Sequence, residues 1–492
     1  MYSLKTLFAF ILVSLLTVEA YAVEAVDQST TKKRPNIMVV LCDDLGYGDL
    51  ACYGHPVIKS PHVDRFAKEG LKLTSCYSAH PNCSPSRAGL MTGRTPFRVG
   101  IYNWIPMYSP MHVRKREITI ATLLRQAGYA TFHAGKWHLN GMFNLVGQPQ
   151  PSDHGFDHWF ATQNNALPTH KNPFNFVRNG KPVGKQKGYA AQLVADEAEK
   201  WLTDLRDKEK PFFMFVCFHE PHEPIASAER FRKLYSAPEN STLPAHHGNV
   251  TQMDDAFGRI LKTLDDQKLR DNTLIIFTSD NGPAITRRHP HGSSGPLRDK
   301  KSATYEGGIR VPGIVQWPAH VKPGTTSDTP ISGLDFLPTL CAVAEVPVPT
   351  DRVLDGTNVL PVFHGKPVKR TKPLYWQFNR SRSEPKVAIR DGDWKLLARL
   401  DVPTPKPSGG ISAQDIDDVK QAKLTGFELY HIKSDIAETT DRAESEQEIL
   451  QKMKKQMTEI FEEVQAEAPR WPVWEFARYE GKIISEYKRK QA

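Results

Sequence analysis

The sequence has few of the features that mark membrane or nucleic-acid-binding proteins. After the first 25 residues, no apolar run is long enough to span a bilayer. No nucleic-acid-binding motif is recognisable, and internal repeats and long low-complexity tracts are absent. The 492 residues are 39% apolar and 24% charged, which is the balance of an ordinary globular protein. The length allows one large domain and a smaller one.

Cysteine is also scarce, and its spacing is irregular. The chain has six cysteines, which are Cys42, Cys52, Cys76, Cys83, Cys217 and Cys341. Irregular spacing in a chain of this length argues against a disulfide framework, and Cys52–Cys76 is the one pair considered for a bridge. Cys42 and Cys217 end apolar runs, so both are predicted to be buried in a sheet.

The N-terminus is typical of an exported protein. Lys5 precedes an apolar run over residues 7–16, and Ala20-Tyr21-Ala22 follows as a small-residue cleavage site. This pattern predicts a signal peptide at 1–22 and a linker at 23–34. The alternative, an uncleaved membrane anchor, is disfavoured because the apolar core is short. We therefore expect a periplasmic or secreted protein without a transmembrane anchor after cleavage.

The formal net charge of +9 favours an anionic partner. Nucleic acid, acidic membrane and acidic polysaccharide all satisfy that requirement. Export argues against nucleic acid.

Apolar strands alternate with amphipathic helices along most of the chain. Strands are predicted at 37–41, 129–133, 212–216 and 273–277, and helices at 61–67, 119–127, 190–205 and 253–264. This alternation predicts an α/β fold with a mainly parallel sheet in a domain at 35–365. Past residue 366 the pattern changes to strand–turn–strand at 386–397 and a helix at 446–464. A smaller α+β domain is therefore predicted at 366–492.

Polar side chains follow four of the predicted strands. They are Asp43 and Asp44, Lys136 and His138, His219 and His222, and Asp280 and Asn281. Sites in open α/β sheets form at the carboxyl ends of strands, so four such ends together favour an active site. Carboxylate and amide oxygens suit Ca²⁺ or Mg²⁺, and neighbouring lysines and histidines suit a bound oxyanion. The residues thus indicate phosphoryl or sulfuryl chemistry.

The segment from Cys83 to Arg94 reads CSPSRAGLMTGR. It resembles the sulfatase signature C-x-P-S-R-x-x-x-L-T-G-R, with Met91 where the family usually has leucine. The alternative is an ordinary buried cysteine before a helix. Further blocks resemble the same family over nearly the whole mature chain, and they lie at 43–49, 135–139, 221–224, 278–282, 301–312, 393–396 and 428–430. The chain is similar to the branch of arylsulfatase A and N-acetylgalactosamine-6-sulfatase.

That resemblance implies an alkaline-phosphatase-like fold, with helices on both faces of a mainly parallel sheet. It also implies a nucleophile made from Cys83, which a formylglycine-generating or sulfatase-maturing enzyme oxidises to formylglycine. One hydroxyl of the hydrated aldehyde would attack sulfur and form an enzyme–sulfate ester, and the second would then expel sulfate. A plain thiol lacks that second hydroxyl.

The remaining site residues take their roles from the same resemblance. His222, aided by Lys301, would protonate the departing alcohol, and His138 would accept the proton of the second hydroxyl. Arg87 would hold the hydrate, while Lys136 and Lys301 would clamp sulfate. One Ca²⁺ ion would be held by Asp43, Asp44, Cys83 in its modified form, Asp280 and Asn281.

The substrate is expected to meet loops at 102–116, 140–187 and 284–298, which are rich in aromatic and cationic groups. The last loop carries Arg287, Arg288, His289 and His291 as candidate substrate-binding residues. His219 is either a strand-end packing residue or a substrate contact. These groups favour a sulfated poly- or oligosaccharide over a small aryl sulfate. The sugar, the sulfate position and endo or exo action stay open.

Two other functions remain. A phosphodiesterase or phosphonate hydrolase of the same superfamily would keep the metal motif. It is disfavoured because Lys136, His138, His222 and Lys301 match the sulfatase pattern. A non-catalytic protein that binds sulfated glycans would be expected to have lost catalytic residues, and none is missing.

Overall fold

A ten-stranded sheet organises the part of the chain that the computed structural model describes, residues 34–238, 241–405 and 409–491. The predicted signal peptide at 1–22 and residues 23–33 of the predicted linker lie outside the described residues. Along the sheet the strand order is β11-β2-β10-β9-β1-β8-β4-β5-β6-β7. The central strands β9, β1, β8, β4 and β5 are parallel, as predicted. Antiparallel pairing occurs where β10 meets β9 and β2, and where β6 meets β5 and β7.

The strands have the following bounds. They are β1 Asn36–Asp43, β2 Leu71–Leu73, β3 Cys76–Tyr77, β4 Ala130–Lys136, β5 His158–Thr162, β6 Val177–Arg178, β7 Lys181–Pro182, β8 Phe212–Pro221, β9 Thr273–Ser279, β10 Gly313–Gln316, β11 Thr325–Ser327, β12 Ile331–Ser332, β13 Leu374–Gln377, β14 Val387–Asp391, β15 Trp394–Leu400 and β16 Leu424–His431. Strands β4 and β8 run several residues further than predicted, which places Lys136 and His219 inside strands.

The helices lie between these strands. They are α1 Pro61–Lys68, α2 Cys83–Thr92, α3 Pro96–Val99, α4 Ile120–Gln126, α5 Ala190–Lys200, α6 Glu229–Arg232, α7 Leu243–Asp266, α8 Glu306–Ile309, α9 Phe336–Val343, α10 Leu360–Phe363, α11 Ala413–Gln421, α12 Gln447–Glu467 and α13 Tyr479–Gln491. The predicted helix at 190–205 is α5 followed by a π-helical turn, Trp201–Leu205. The helix predicted at 253–264 begins ten residues earlier, at Leu243.

Helices cover both faces of the large sheet. In β1, Ile37, Val39 and Leu41 join one apolar core, while the alternate residues Met38 and Val40 join another. The first core receives side chains from α2, α4 and α9, and the second receives side chains from α1, α5 and α7. Successive side chains of a strand point to opposite faces, so a strand apolar at every position must be covered on both sides. This is the layered α/β arrangement expected from the sequence.

A four-stranded antiparallel sheet, β13-β14-β15-β16, follows in the C-terminal region. Its core includes one face of α12, where Leu450, Met453, Met457, Phe461 and Val464 recur at helical spacing. The predicted strand–turn–strand at 386–397 is β14 and β15, and the predicted C-terminal helix is α12. The domain boundary at 365/366 stays a prediction, because the structure groups the chain from Arg34 onward as one compact unit.

All six cysteines are free, so Cys52 and Cys76 form no bridge. Cys76 is buried beside Thr278 and Gly313 in one apolar core, while Cys52 lies near Asp64 and packs against the other core. Cys42 and Cys217 are fully buried in β1 and β8, as predicted. Within the described residues, no helix is both long and apolar enough to cross a bilayer.

Candidate active site

The carboxyl ends of the central strands meet at one edge of the sheet. Asp43 is the last residue of β1, Lys136 is the last of β4, and Asp280 directly follows β9. Since β9, β1, β8 and β4 are adjacent and parallel, these side chains converge. Asp43, Asp44, Cys83 and His222 each offer a ligand atom, and the four atoms lie within 4.8 Å of one another. The structure therefore brings together side chains that are far apart in the sequence.

Cys83 is the first residue of α2 and is 2% exposed. The preceding Asn82 caps the helix, and its Oδ1 accepts a hydrogen bond from the backbone N–H of Cys83. Lys301 Nζ lies 3.2 Å from Cys83 Sγ. Burial raises the pKa of the Cys83 thiol to about 11, although the charges of Lys136 and Lys301 lower it in part. An unmodified thiol here would stay protonated at neutral pH and would be a weak nucleophile.

Three buried carboxylates each pair with a cation, of which Lys136 and Arg87 are buried and Lys301 is half-buried. Lys136 Nζ lies 2.7 Å from Asp43 Oδ2, and Lys301 Nζ lies 2.6 Å from Asp44 Oδ1. The third pair joins the Arg87 guanidinium to Asp280 Oδ2 at 2.8 Å, and Arg87 Nη1 also donates to the Lys136 carbonyl. Buried charges are costly unless paired, so each member depends on its partner.

The pKa values of the carboxyl groups differ although all three are buried. Burial alone would raise the pKa of Asp43 and of Asp44. Lys136 and His222 bring the pKa of Asp43 below its usual range, and Lys301 and His222 do the same for Asp44. For Asp280, burial and the nearby charge of Asp43 prevail over Arg87 and raise the pKa. A bound cation would offset the electrostatic repulsion between these carboxylates.

Two oxygen atoms at this edge suit a cation as well. Asn281 Nδ2 donates to Asp44 Oδ1 at 2.7 Å and to the Gly282 carbonyl, which leaves Asn281 Oδ1 for another partner. Among the described residues, Asn281 Oδ1 and Asp43 Oδ1 are buried without a hydrogen-bond donor. Carboxylate and amide oxygens are ligands of hard cations such as Ca²⁺. The donor set therefore fits the ion that the sequence predicts.

His138 is buried beside the cations in a backbone conformation that non-glycine residues rarely adopt, with φ of +57°. Its Nε2 lies 3.1 Å from the Ile105 carbonyl, which can only accept, so Nε2 carries the proton. Its Nδ1 then holds the lone pair, and it has no partner among the described residues. Burial, followed by Lys136 and Arg87, holds the pKa of His138 well below its usual value. The imidazole is therefore neutral and can accept a proton.

His222 follows β8 and is half-buried. Its Nε2 lies 3.5 Å from Asp44 Oδ2, and its Nδ1 contacts the Glu223 carbonyl. By the same argument Nδ1 carries a proton, and Nε2 is the atom that can exchange one. Both His138 and His222 line the cavity that contains Cys83.

That cavity has a volume of about 380 Å³. Its lining residues are Asn82, Cys83, Asn103, Trp104, His138, Asn164, Asn165, His222, Lys301, Ser302, Phe378, Arg380, Arg382, Gly409, Phe476 and Glu480. The predicted substrate loops at 102–116 and 140–187 supply four of them, Asn103, Trp104, Asn164 and Asn165. Arg87 and Lys136 lie beneath the cavity and do not line it.

The other predicted substrate-binding residues lie outside this lining. His219 is inside β8 and is 1% exposed, with Nε2 2.7 Å from Thr162 Oγ1, so its environment is that of a packing residue. Arg287 and Arg288 are exposed on a loop that Thr286 ties to Glu223. On the same loop, the half-buried His289 and His291 lie outside the lining, and His291 Nε2 contacts Thr242 Oγ1. The cationic composition of this loop predicted a substrate contact, and that contact stays a prediction because these four residues are not part of the cavity lining.

Sequence reasoning missed the C-terminal half of the cavity wall. Phe378, Arg380 and Arg382 come from the segment after β13, and Phe476 and Glu480 come from the segment around the start of α13. The aromatic run around Trp471, Trp474 and Phe476 was a signal that could have been used, because such side chains seldom cluster without a packing partner.

Comparisons with known proteins agree with this geometry. The family model described as Sulfatase matches residues 35–346, and the one described as N-sulphoglucosamine sulphohydrolase, C-terminal, matches 297–403. N-acetylgalactosamine-6-sulfatase of Rattus norvegicus is 34% identical over 393 residues, which cover 73% of this chain and 71% of that protein. Arylsulfatase A of Homo sapiens is 35% identical over 353 residues, covering 67% of this chain and 68% of that protein.

A solved structure extends the similarity to the whole fold. The crystal structure of Ps i-CgsB in complex with k-i-k-neocarrahexaose superposes with a TM-score of 0.75 at 28% identity. It covers 92% of this chain and 97% of that one. Because the family model spans most of the chain and matches the segments that build the acidic edge and the start of α2, this chain belongs to the sulfatase family.

Proposed function

We propose that this chain is a Ca²⁺-dependent enzyme that hydrolyses the sulfate ester of a sulfated poly- or oligosaccharide after Cys83 is converted to formylglycine. The observation that carries the proposal is the position of Cys83. It lies in the cavity, 3.2 Å from Lys301 and within reach of the acidic cluster. Its raised thiol pKa makes an unmodified cysteine unsuitable as the nucleophile.

Two groups that the chain acquires after synthesis, Ca²⁺ and formylglycine, would complete the site. Asp43, Asp44, Asp280 and Asn281, with the side chain at position 83, would hold Ca²⁺, which supplies positive charge to sulfate oxygens. The hydrated aldehyde would supply the nucleophilic hydroxyl.

Lys301, Lys136 and Arg87 place positive charge near the position that the sulfate group would occupy. Lys301 reaches both Asp44 and position 83, so it can stabilise negative charge that develops at the reacting atom. Lys136 and Arg87 do not line the cavity and act through the carboxylates that they contact. Lys136 orients Asp43, and Arg87 orients Asp280 while it also holds the backbone of Lys136.

We assign different roles to the two histidines that line the cavity. His138 presents a free Nδ1 lone pair and stays neutral because it is buried among cations, so we assign it the base. His222 Nδ1 contacts the Glu223 carbonyl and its Nε2 lies in the cavity beside Asp44, so we assign it the acid that protonates the leaving alcohol.

A carbohydrate substrate is supported by the cavity wall and by the relatives. Trp104 and Phe476 meet edge to face with ring centroids 5.3 Å apart, and aromatic surfaces of this kind contact sugar rings. Arg382 is exposed in the same wall and can meet a second anionic substituent. The relatives are named for a sulfated amino sugar and for an oligosaccharide complex. Export to the periplasm or medium rests on the N-terminal sequence.

The first experiment is mass spectrometry of the peptide that carries Cys83, on protein made in its native host. Formylglycine lowers the mass by about 18 Da relative to cysteine. The same sample is then assayed for sulfate release from a panel of sulfated saccharides, with the matched phosphate esters as the comparison. An unmodified Cys83 would contradict the mechanism and favour a glycan-binding protein. Faster turnover of phosphate esters would favour the phosphodiesterase or phosphonate hydrolase alternative.

A further inference from the structure

Glu480 places a carboxylate in a cavity that is otherwise cationic. It is the second residue of α13 and lines the cavity together with Cys83 and Lys301. Of the residues that the structure places in this lining, Glu480 alone is acidic, whereas Lys301, Arg380 and Arg382 are basic. The chemistry of sulfate release gives this carboxylate no task, because a negative charge near a sulfate group opposes its binding.

The Glu480 carboxylate is held in one orientation. Asn164 Nδ2 donates to Oε2 at 2.8 Å, and the backbone N–H of Asn165 donates to Oε1 at 3.2 Å. Asn165 Nδ2 also lies 3.3 Å from Oε2. The first turn of the 13-residue α13 adds the partial positive charge of a helix N-terminus, which stabilises a carboxylate. Burial raises the pKa of Glu480, and the hydrogen bonds from Asn164 and Asn165 lower it in part. The same contacts hold the carboxylate in the wall.

Aromatic contacts fix the segment that carries Glu480. Phe476 packs against Trp104, and Tyr479 packs edge to face on Tyr108 with ring centroids 4.9 Å apart. Both partners belong to the loop that follows α3. Phe476 precedes α13 and Tyr479 is its first residue, so these contacts fix the backbone next to Glu480.

A fixed carboxylate discriminates between the substituents that surround the scissile ester. It accepts hydrogen bonds from hydroxyl, amide N–H or ammonium groups, and it repels carboxylate and sulfate groups in a site from which water is partly excluded. Arg382, in the same lining, has the opposite preference. The wall of the cavity therefore has an acidic side chain at Glu480 and a basic side chain at Arg382.

We infer that Glu480 is a specificity-determining residue, which admits hydrogen-bond donors and excludes a second anion on its side of the scissile sulfate ester. The inference rests on the proposed function and adds a substrate class to it. That class is a sugar that is unmodified or amino-substituted where it faces Glu480.

The test uses two synthetic aryl sulfates of similar size and leaving group. Tyramine O-sulfate carries an ammonium group, and 4-sulfooxyphenylacetate carries a carboxylate. The quantity measured is the ratio of kcat/KM for the cationic probe to that for the anionic probe. The wild type should favour the cationic probe, and Glu480→Gln should lower the ratio on the order of tenfold. Glu486→Gln, which removes the same charge from an exposed position of α13, should leave it unchanged.

The outcomes separate this inference from the proposed function. A wild-type preference for the anionic probe, or an equal ratio in Glu480→Gln and wild type, overturns the role of Glu480. Failure of the wild type to hydrolyse these probes and 4-nitrophenyl sulfate, which has no charged group besides its sulfate, counts against the proposed function instead. If only 4-nitrophenyl sulfate is hydrolysed, the inhibition constants of the other two probes are compared in place of kcat/KM. If Glu480→Gln does not fold, the wild-type preference decides.

Discussion

The reaction centre and the substrate wall of this protein are built in different ways. The reaction centre comprises Asp43, Asp44, Cys83, Arg87, Lys136, Asp280, Asn281 and Lys301, which lie at strand ends, at the start of α2 and in the loop before α8. Its charges are matched in pairs and, apart from that of the half-buried Lys301, are buried. The substrate wall comprises Trp104, Phe378, Arg380, Arg382, Phe476 and Glu480, which lie on loops and at the start of α13. Phe378 is buried, Arg382 is exposed, and the others are half-buried.

This difference predicts two kinds of variant. A buried ion pair tolerates no loss of a partner, so changes in the reaction centre should lower kcat for every substrate. Wall residues touch only the part of the substrate that is not reacting, so changes there should alter KM and the choice between substrates.

The largest effect is expected at Cys83. Cys83→Ala should lower kcat for 4-nitrophenyl sulfate by at least about 10³-fold, because no other side chain can replace the nucleophile. Steady-state sulfate release measures it. The control Cys341→Ala removes another buried sulfur, in α9, and should keep activity near that of the wild type. Residual activity of Cys83→Ala above a tenth of wild type would mean that the reaction centre is wrongly assigned.

His138→Ala should lower kcat by about 10²- to 10³-fold, the contribution of a positioned base. The pH profile of the wild type gives an independent reading. Because burial and neighbouring cations hold the pKa of His138 well below its usual value, the base form is lost only as the pH falls through that lowered pKa. The acidic limb of kcat/KM should therefore lie below about pH 6.5.

For His138, the exposed His364 supplies the matched control, because its ring neighbours are Trp317 and His320 and it does not line the cavity. An acidic limb above pH 6.5 that persists in His138→Ala would assign the base elsewhere.

Removal of divalent cations should lower kcat/KM by about a hundredfold, since a metal ion contributes several kcal/mol of charge stabilisation. Calorimetry should show a matching loss of stability, about 2.7 kcal/mol when Ca²⁺ had been present at 100 times its Kd. Added Ca²⁺ should restore both. Asn281→Leu removes the amide oxygen that has no hydrogen-bond donor among the described residues, and it should abolish the effect of Ca²⁺ on activity and stability. If the melting temperature of the wild type is the same with and without chelator, the metal site at this edge of the sheet is contradicted.

The smallest effect is expected in the substrate wall. Phe476→Ala should lower kcat/KM for the sulfated saccharide by about tenfold, mainly through KM, because the lost contact is with the sugar and with Trp104. Its effect on 4-nitrophenyl sulfate should be smaller. Phe174→Ala, which truncates an exposed ring outside the cavity lining, is the control. Equal losses on both substrates would erase the distinction between wall and reaction centre.

Most of the reaction centre could be predicted because its signals are local. An apolar strand followed by acids predicts a site at a strand end, and Cys83 stands in a contiguous signature at the start of a helix. His219 shows the limit of that reasoning. Nothing in the sequence marks where β8 ends, and the strand continues to Pro221 because residues up to that point pair with β1. The sequence left packing and substrate contact open for His219, and its burial inside the strand favours packing.

Glu480 could not be predicted, because its contacts depend on chain segments far apart in the sequence. It meets Asn164 across 316 residues. No periodicity links two such segments, and a glutamate in the first turn of a helix is an ordinary feature. The prediction for the loop with Arg287 and Arg288 rested on composition alone. The structure leaves both residues outside the cavity lining, and Thr286 of the same loop donates to Glu223.

The sequence by itself determined the parallel sheet and the acidic edge, and it predicted the nucleophile. Each depends on residues next to one another in the chain and on the rule that parallel strands end together. Only the tertiary structure decided which charges pair, which nitrogen of His138 keeps its lone pair, and which distant segments close the cavity. Those features depend on packing between segments hundreds of residues apart. The resulting burial, which sets the pKa values and fixes Glu480 in the wall, exists only once the chain has folded.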